Sequence, residues 1–415
     1  MSRVVILGAG VIGLSCALAC RRRGHEVTVV ERKPQRRDGC SYGNAGMIVP
    51  SHFVPLAAPG MVALGLKWMW NPESPFFIKP RIDAGLLDWG WKFMRAATRE
   101  HVNRCAPLIR DLSLASRQLF INWQESGQDL GLVTDGLIML CRTGHGLEEE
   151  AAAAAKAKKL GIPAEVLDAK GLAEAEPGVT TSAVGGVLYP KDAHLSPEKF
   201  IAALESALLD EGCDFVWQAE ALGWRKERKK LAALKTNRGE VAGDEFILAA
   251  GSWSDTMLDG LDLRLPMQSG KGYSLTVKEP VQLPRKCAIF TEARVAVTPM
   301  NGQLRFGGTM EIAGRDESIT RRRVHGIIRA ASQYYPAFEE SHFQGIEPWR
   351  GLRPCSPDGM PYLGRTKAAS NLVIATGHAM MGLSLAPITG QLAGAIVDGE
   401  RTGIDLSLLD PDRFA

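Results

Sequence analysis

Residues 4–31 read VVILGAGVIGLSCALACRRRGHEVTVVE, and their pattern indicates the type of fold. The apolar run 4–7 predicts a strand that is buried on both faces. Gly8, Gly10 and Gly13 follow in the pattern G-x-G-x-x-G. The first glycine permits a tight turn, the second lets the backbone approach a pyrophosphate, and the third lets the next helix pack on the strand. That helix presents unpaired N–H groups and the positive end of its dipole to the phosphates, so the stretch predicts a dinucleotide site.

A second predicted strand, residues 27–30, leads into Glu31, eighteen positions after Gly13. A carboxylate at this place accepts hydrogen bonds from an adenosine ribose and repels a 2′-phosphate, which disfavours NADP. We assign Val11 and Ile12, at the start of the helix, and Arg32, after the acid, to the same site. These residues leave both NAD and FAD open.

The size and composition of the chain limit the classes of protein to consider. A length of 415 residues predicts two domains, and 45% hydrophobic with 23% charged residues is ordinary for a globular protein. A net charge of +3 does not favour a nucleic-acid partner. The eight cysteines include no C-x-x-C pair and no zinc-like spacing, so we expect free thiols, a cytoplasmic location and no metal site. The chain begins directly with a predicted strand and has no apolar run of about 18 residues, so we expect neither a signal peptide nor a membrane span.

Two further glycine turns follow apolar strands, in ILAAGS (247–252) and VIATGHAMMG (373–382). These turns are explained by a cofactor that extends across the sheet and contacts the protein again at the end opposite the first glycine turn. FAD is long enough to reach both places. A helix that begins near Leu383 would direct its dipole at the flavin N1–C2=O edge and stabilise the reduced anion. These turns therefore favour FAD over NAD.

Several segments together resemble the FAD-dependent D-amino acid oxidase superfamily, and within it the bacterial D-amino acid dehydrogenases and glycine oxidases. The segments are the opening stretch, SYGNAGMIVP (41–50), ILAAGSWS (247–254), KGYSLT (271–276), LRFGGTMEI (304–312), PWRGLRPCSPDGMPYLGR (348–365) and ATGHAMMGLSLAPITGQL (375–392). Dehydrogenases of this family show S-x-x-N-A-G after the acid and G-L-R-P-x-x-P-D-G-x-P before the last strand, and both are present here. The resemblance covers nearly the whole chain.

The resemblance implies an α/β fold with a discontinuous Rossmann-type FAD-binding domain and a second α+β substrate domain on a mainly antiparallel sheet. The expected FAD-binding domain comprises 1–52, 160–262 and 345–415, and the expected substrate domain comprises 53–159 and 263–344. Further FAD contacts are expected from Ser41, Asn44, Ala45, Gly46, Met47, Ala250, Gly251, Trp253, Gly377, His378, Met381, Gly382 and Leu383.

The activity implied is oxidation of a D-amino acid by hydride transfer from Cα to flavin N5, giving an imine and then a 2-oxo acid. D-Proline or hydroxy-D-proline would stop at the imine. A glycine or sarcosine oxidase-like enzyme that reduces oxygen is the alternative within the class. An NAD-dependent dehydrogenase and a non-catalytic flavoprotein subunit are the alternatives outside it. The electron acceptor is left open between a quinone, another redox protein and oxygen.

Arg353 in RGLRP is our candidate for the group that binds the substrate carboxylate, because a planar guanidinium binds a carboxylate through two parallel hydrogen bonds. The alternative is a structural arginine that pairs with Asp358 or a backbone carbonyl, and Arg350 is a weaker substitute.

Four other side chains are candidates for the active site. Tyr273 could donate its hydroxyl to the carboxylate or simply pack between domains. His378 could order the loop beside the flavin, while His52 and His194 could each face the substrate or be structural. Glycine oxidases carry an arginine where this chain has Met380, which indicates a more apolar pocket.

Four tryptophans, at 68, 70, 89 and 91, fall in one apolar and proline-broken stretch. They could pack over the substrate cavity, which we favour, or form an apolar surface for a partner subunit or for peripheral contact with the inner face of the membrane. Farther along, Pro107 predicts the first turn of a helix.

Overall fold

The computed structural model describes residues 1–68 and 73–415, so the prediction for Trp70 lies outside the described residues. The strands of the described chain are β1 (Arg3–Leu7), β2 (Glu26–Glu31), β3 (Met47–Ile48), β4 (Phe76–Ile78), β5 (Leu137–Cys141), β6 (Glu165–Asp168), β7 (Gly185–Tyr189), β8 (Ala193–His194), β9 (Asp214–Trp217), β10 (Ala221–Glu227), β11 (Lys230–Thr236), β12 (Gly239–Ala242), β13 (Glu245–Leu248), β14 (Gln268–Val277), β15 (Cys287–Phe290), β16 (Val295–Met300), β17 (Gln303–Ile312), β18 (Trp349–Cys355), β19 (Tyr362–Arg365) and β20 (Leu372–Thr376).

The α-helices of the described chain are α1 (Val11–Arg22), α2 (Met61–Trp68), α3 (Ala84–Ala96), α4 (Arg99–Glu125), α5 (Gly144–Lys159), α6 (Ala169–Ala175), α7 (Pro197–Asp210), α8 (Arg321–Tyr334) and α9 (Ala386–Asp398). None of these helices, within residues 1–68 and 73–415, combines the length and the apolar character that crossing a membrane requires.

The first sheet has six strands in the order β19-β20-β13-β1-β2-β9. Its strands are parallel except for β19, which pairs antiparallel with β20 at one edge. The opening stretch supplies β1, α1 and β2, while β13 and β20 come from the middle and the end of the sequence. The predicted Rossmann-type sheet built from distant segments is therefore confirmed.

Glycines set the close packing of this layer. A Cβ on Gly13 would lie 1.8 Å from the carbonyl oxygen of Gly8, and one on Gly390 would lie 2.3 Å from that of Ser15. Helix α1 can thus lie directly on the β1 turn, and α9 can lie directly on α1. Gly8 itself has a φ of 111°, a conformation open to glycine at little cost.

The second sheet has nine strands, in the order β18-β14-β17-β16-β15-β5-β7-β6, with β4 pairing β17. Most of its pairs are antiparallel, as predicted; β15 with β5 and β17 with β4 are parallel. Helix α8 packs on this sheet through Val324, Ile327 and Tyr334. The α/β fold with a second, mainly antiparallel α+β unit is confirmed.

The predicted division into domains agrees with sheet membership in most places and differs in two. Strands β6 and β7 (within 160–262) and β18 (within 345–415) pair in the nine-stranded sheet rather than with the Rossmann strands. The division of 1–52, 160–262 and 345–415 from 53–159 and 263–344 therefore remains a proposal, with those three strands as its weakest points.

The prediction that a helix begins at Pro107 is wrong. Helix α4 begins at Arg99 because the Thr98 side chain accepts a hydrogen bond from the His101 N–H, and Pro107 lies inside the helix. A capping threonine thus determines where this helix begins, and the proline is accommodated within it.

Candidate cofactor and substrate site

The three glycine turns that follow apolar strands meet in one cleft at the carboxyl end of the six-stranded sheet. The cleft contains about 1200 Å³ that no protein atom occupies, including the solvent at its mouth. Residues from the β1 turn, from 249–253 and from 375–383 line it. Sequence segments more than 200 residues apart therefore form one binding site.

The nucleotide end of the cleft is ordered by Glu31. Its carboxylate accepts hydrogen bonds from the N–H groups of Ala9 and Lys33, both at 2.9 Å, which keeps the acid beside the glycine turn. The Val11 N–H at the start of α1 donates to Ser41 Oγ at 3.2 Å. A carboxylate, a hydroxyl and a helix N-terminus thus stand together where ribose and phosphates would bind.

Arg32 stacks on Trp253 at this end, with the guanidinium carbon 3.6 Å from the ring centroid. This cation–π contact joins the segment after β2 to the segment after β13. Both residues line the cleft, so a tryptophan and a guanidinium are available to a planar base.

The other end of the cleft is formed by the turn before α9. His378 is almost completely buried, and its Nε2 lies 3.0 Å from Thr389 Oγ1 in the first turn of α9. Burial lowers the pKa of His378 to about 3, so its ring is neutral at physiological pH. Pro387 occupies the first turn of α9, where its missing N–H is harmless.

These residues fit a dinucleotide that carries a second polar group at its far end. Within the described chain, Nδ1 of His378 has no hydrogen-bond partner although it is buried in the cleft wall, and such atoms are normally satisfied. Gly8 and Gly13 leave no room for side chains, as a phosphate-binding turn requires. Gly8, Gly10, Glu31 and Ser41 would hold the nucleotide half, and His378 with Gly382 and Leu383, in the turn before α9, would hold the other half.

Arg353 lines the same cleft and is half-buried. Its Nη1 donates to the carbonyl oxygen of Thr309 at 2.8 Å. Within residues 1–68 and 73–415 it forms no ion pair, because Asp358, its predicted structural partner, is held by Arg413 at 2.8 Å. The guanidinium therefore keeps N–H groups for an anion from outside the chain.

Arg350 also lines the cleft but is already paired. Its Nη1 lies 2.7 Å from Asp38, and its Nη2 lies 3.3 Å from Glu317. Asp38 follows β2 of the six-stranded sheet, and Glu317 follows β17 of the nine-stranded sheet. Arg350 therefore connects the two sheets at the rim of the cleft. This pairing disfavours Arg350 as the carboxylate site.

Tyr273 lies on the opposite face of β14 from Arg353. Alternate residues of a strand point to opposite faces, and Gly272, not Tyr273, faces the guanidinium. The Tyr273 hydroxyl donates to Glu311 at 2.7 Å and accepts from the Thr320 N–H at 3.1 Å. Burial raises the pKa of Tyr273 to about 12, so it stays a donor, and this placement favours the packing alternative.

His194 and His52 are not in the cleft lining. His194 pairs with Met47 across β3 and β8 and borders a separate pocket with Arg285 and Asn301. His52 Nδ1 lies 2.9 Å from Ser51 Oγ, and loss of hydration lowers the pKa of His52 to about 4. Both histidines are neutral at physiological pH, and their catalytic roles stay predictions.

Of the residues predicted for the site, those that line the cleft are Gly8, Gly10, Val11, Ile12, Glu31, Arg32, Ser41, Asn44, Ala250, Gly251, Trp253, Arg353, His378, Gly382 and Leu383. Those that lie outside its lining are Gly13, Ala45, Gly46, Met47, His52, Tyr273, Gly377 and Met381. Gly13 and Gly46 act through packing, because a Cβ on either would lie about 2 Å from a backbone oxygen.

Several residues that line the cleft were not predicted from the sequence, among them Arg37, Asp38 and Glu317. Arg37 donates to the Ala9 carbonyl and forms a buried ion pair with Glu205 at 2.6 Å. Only the distant location of their partners reveals these roles, and no local pattern in the sequence indicates them.

A buried carboxyl group contacts Ser51, three positions after the strand that carries Met47. Asp192 is fully buried, and its Oδ1 accepts from the Ser51 N–H at 3.0 Å. Burial raises the pKa of Asp192 from 3.8 to about 7. The folded chain thus binds a proton between pH 4 and 7 that the unfolded chain releases, so this group makes folding less favourable as pH rises through that range.

We expect the stability of Asp192→Asn relative to the parent to increase by roughly 4 kcal/mol between pH 4 and pH 7, because the variant has no carboxyl group to lose its proton. Denaturant unfolding at several pH values measures it. Asp129→Asn is the control, because Lys199 lowers the pKa of that exposed acid and its slope has the opposite sign. A pH-independent effect of Asp192→Asn would contradict the assignment.

Comparison with known proteins identifies the family. The model of the DAO family, described as FAD dependent oxidoreductase, matches residues 3–396. The chain belongs to the family of FAD-dependent oxidoreductases. The resemblance seen in the sequence is thereby confirmed, the cofactor of this oxidoreductase is FAD, and the NAD alternative is set aside.

Relatives of this FAD-dependent oxidoreductase include a D-amino acid dehydrogenase of Rhizorhabdus wittichii, which is 32% identical over 419 residues that cover 99% of this chain and 100% of the relative. A D-amino acid dehydrogenase of Granulibacter bethesdensis is 30% identical over 419 residues, covering all of both chains. Glycine oxidase from Geobacillus kaustophilus has a similar fold, with a TM-score of 0.79, 24% identity and coverage of 100% of this chain and 99% of that chain.

Proposed function

We propose that this FAD-dependent oxidoreductase oxidises a D-amino acid at Cα to an imine, which water converts to a 2-oxo acid and ammonia. The observation that carries the proposal is Arg353, an arginine in the FAD cleft whose N–H groups lack an acidic partner among the described residues. A half-buried cation that lacks a counter-ion favours binding of an anion, and a substrate carboxylate would supply one. The names of the relatives support an amino acid as the substrate.

Arg353 would bind the carboxylate through two parallel hydrogen bonds and so fix the orientation of Cα. When bound, FAD supplies the oxidant that accepts the hydride from Cα. The neutral His378 ring and the turn before α9 line the other end of the cleft, and they would contact the half of FAD that gains negative charge on reduction.

The side chain of the substrate would be apolar. Ala379 lines the cleft and packs in a cluster with Leu56, Trp89 and Cys355, two positions after Arg353. A small ring such as that of D-proline or hydroxy-D-proline would contact Ala379, and burial of its CH₂ groups would favour binding. Trp89 is buried in the cluster behind Ala379 without lining the cleft, which supports packing in the interior for this tryptophan.

Anaerobic mixing with D-alanine, D-proline, hydroxy-D-proline, glycine and the L-amino acids tests the proposal. We expect D-amino acids to bleach the FAD absorbance and an artificial acceptor to restore it. Bleaching by glycine with rapid peroxide release in air would favour the oxidase alternative. A yellow protein that no amino acid reduces would contradict the proposal.

We propose further that the outer face of α3 contacts a membrane surface, which would make the protein peripheral on the cytoplasmic side. Leu87, Trp91 and Met94 have helical i, i+4, i+7 spacing and are 72%, 59% and 50% exposed. Residues 79–104 carry six basic and three acidic side chains, which complements anionic headgroups. The free cysteines suit a reducing compartment.

We expect the protein to sediment with vesicles of anionic phospholipid, and Leu87→Ser with Trp91→Ser to abolish this by removing apolar surface. Leu209→Ser is the control, because Leu209 is 55% exposed on another helix, α7. Equal sedimentation of all three proteins would refute membrane contact through α3, and dimers lost only in the double variant would indicate a partner subunit instead.

A further inference from the structure

A strained residue interrupts β17 beside the proposed carboxylate site. Thr309 has a φ of 71°, a left-handed conformation that is exceptional for a β-branched residue within a strand. The pairing of β14 with β17 shifts here, because Lys271 pairs with Glu311 and Tyr273 pairs with Gly308. Gly272 therefore faces two residues, Thr309 and Met310, which is a β-bulge.

The location of the strain is informative. Gly307 and Gly308 immediately precede Thr309 and could adopt a positive φ at almost no cost, yet neither does. A bulge that served only to bend the strand would place its left-handed residue on one of these glycines. Strain that persists on a threonine indicates that the backbone orientation at position 309 itself is required.

This orientation directs the Thr309 carbonyl at Arg353 Nη1, 2.8 Å away. On the neighbouring strand β14, a Cβ on Gly272 would lie 2.2 Å from Nη2 and 2.3 Å from Nη1 of Arg353. The φ of Gly272 is not positive, so the backbone alone does not require glycine there. Its missing side chain makes room for the guanidinium to lie flat against β14.

We infer that Thr309 and Gly272 are positioning residues that hold the Arg353 guanidinium in the orientation that binds the substrate carboxylate. The inference rests on the proposed function of Arg353. The Thr309 carbonyl fixes one edge of the guanidinium, and Gly272 fixes its plane. The remaining N–H groups then form a fork that is oriented before the substrate arrives, which lowers the entropic cost of binding.

The first test uses Gly272→Ala in the FAD-loaded enzyme. Propanoate, which has a carboxylate but no oxidisable amine, is titrated while the absorbance of bound FAD is followed. We expect its Kd to rise roughly tenfold to a hundredfold, as for loss of a hydrogen bond to a charged group, with KM for the amino acid rising more than kcat falls. Gly307→Ala is the matched control, because a Cβ there meets its nearest atoms at 3.8 Å, an ordinary contact.

A double-mutant cycle separates positioning from general disruption. In the Arg353→Ala background we expect Gly272→Ala to leave the Kd for propanoate unchanged, since no guanidinium remains to be displaced. The same fold-change in both backgrounds would overturn the inference. If Arg353→Ala alone left the Kd unchanged, the proposed function of Arg353 would fail instead.

The second variant is Thr309→Gly. It introduces a smaller residue, so a steric clash cannot account for its effect. We expect a raised melting temperature, because glycine relieves the strain, together with a weaker affinity for propanoate, because the carbonyl is held less rigidly. A raised melting temperature with unchanged affinity would show that Thr309 does not position Arg353.

Discussion

Replacing Arg353 with alanine is expected to reduce kcat/KM for the amino acid substrate by roughly two to four orders of magnitude. Removal of one partner of a buried, hydrogen-bonded charge pair costs about 3–5 kcal/mol, and here that pair forms only when the substrate carboxylate binds. Anaerobic stopped-flow reduction of FAD over a range of substrate concentrations measures both KM and the limiting rate.

Two controls define what the Arg353→Ala result means. FAD content and the melting temperature should stay near those of the parent, because among the described residues the only hydrogen bond that the side chain donates is to the Thr309 carbonyl. Arg353→Lys keeps the positive charge but not the planar guanidinium, so its kcat/KM should lie between that of the parent and that of Arg353→Ala. Parent-like kinetics in Arg353→Ala would remove this residue from substrate binding.

Gly13→Ala is expected to abolish both stable folding and FAD retention. The added Cβ would lie 1.8 Å from the Gly8 carbonyl oxygen, so α1 would have to move away from β1 along with the N–H groups at its start. Overpacking at such a position belongs to the mutations that cost about 4 kcal/mol or more. Denaturant unfolding and the ratio of FAD to protein after purification measure the two effects.

Gly10→Ala is the matched control within the same motif. Its φ of −74° is accessible to alanine, and a Cβ there would meet Ser41 Oγ at 3.6 Å, an ordinary contact. We expect this variant to fold with nearly parent stability but to bind FAD more weakly, because the backbone can no longer approach the pyrophosphate as closely. Similar stability losses in both variants would show that the two glycines do not have these separate roles.

Local patterns were sufficient to predict the cofactor half of the site. The strand, the glycine spacing and Glu31 all belong to the single strand–helix–strand unit of residues 4–31, so their meaning is readable without tertiary information. Glu31 does accept hydrogen bonds from the turn, and the later glycine turns do line the same cleft.

The substrate half could not be predicted to the same depth. Asp358 was a reasonable partner for Arg353 five positions away, yet Arg413 from the end of the chain takes that acid. Tyr273 belongs to a motif of the family, but the alternation of β14 turns its hydroxyl to Glu311. Pairing between distant segments decided both cases.

From the sequence alone we could conclude that this chain binds a dinucleotide, that FAD suits it better than NAD, and that Arg353 is a candidate for binding an anion. Those conclusions follow from short-range sterics and charge, which neighbouring residues specify. The folded structure was needed to show that Arg350 is paired while Arg353 has no acidic partner among the described residues, and that Gly272 of β14 faces Arg353. The proposed role of Thr309 rests on the same pairing of strands. Strand register and pairing between distant segments control these features, because a one-residue shift in register turns every side chain of a strand to the opposite face.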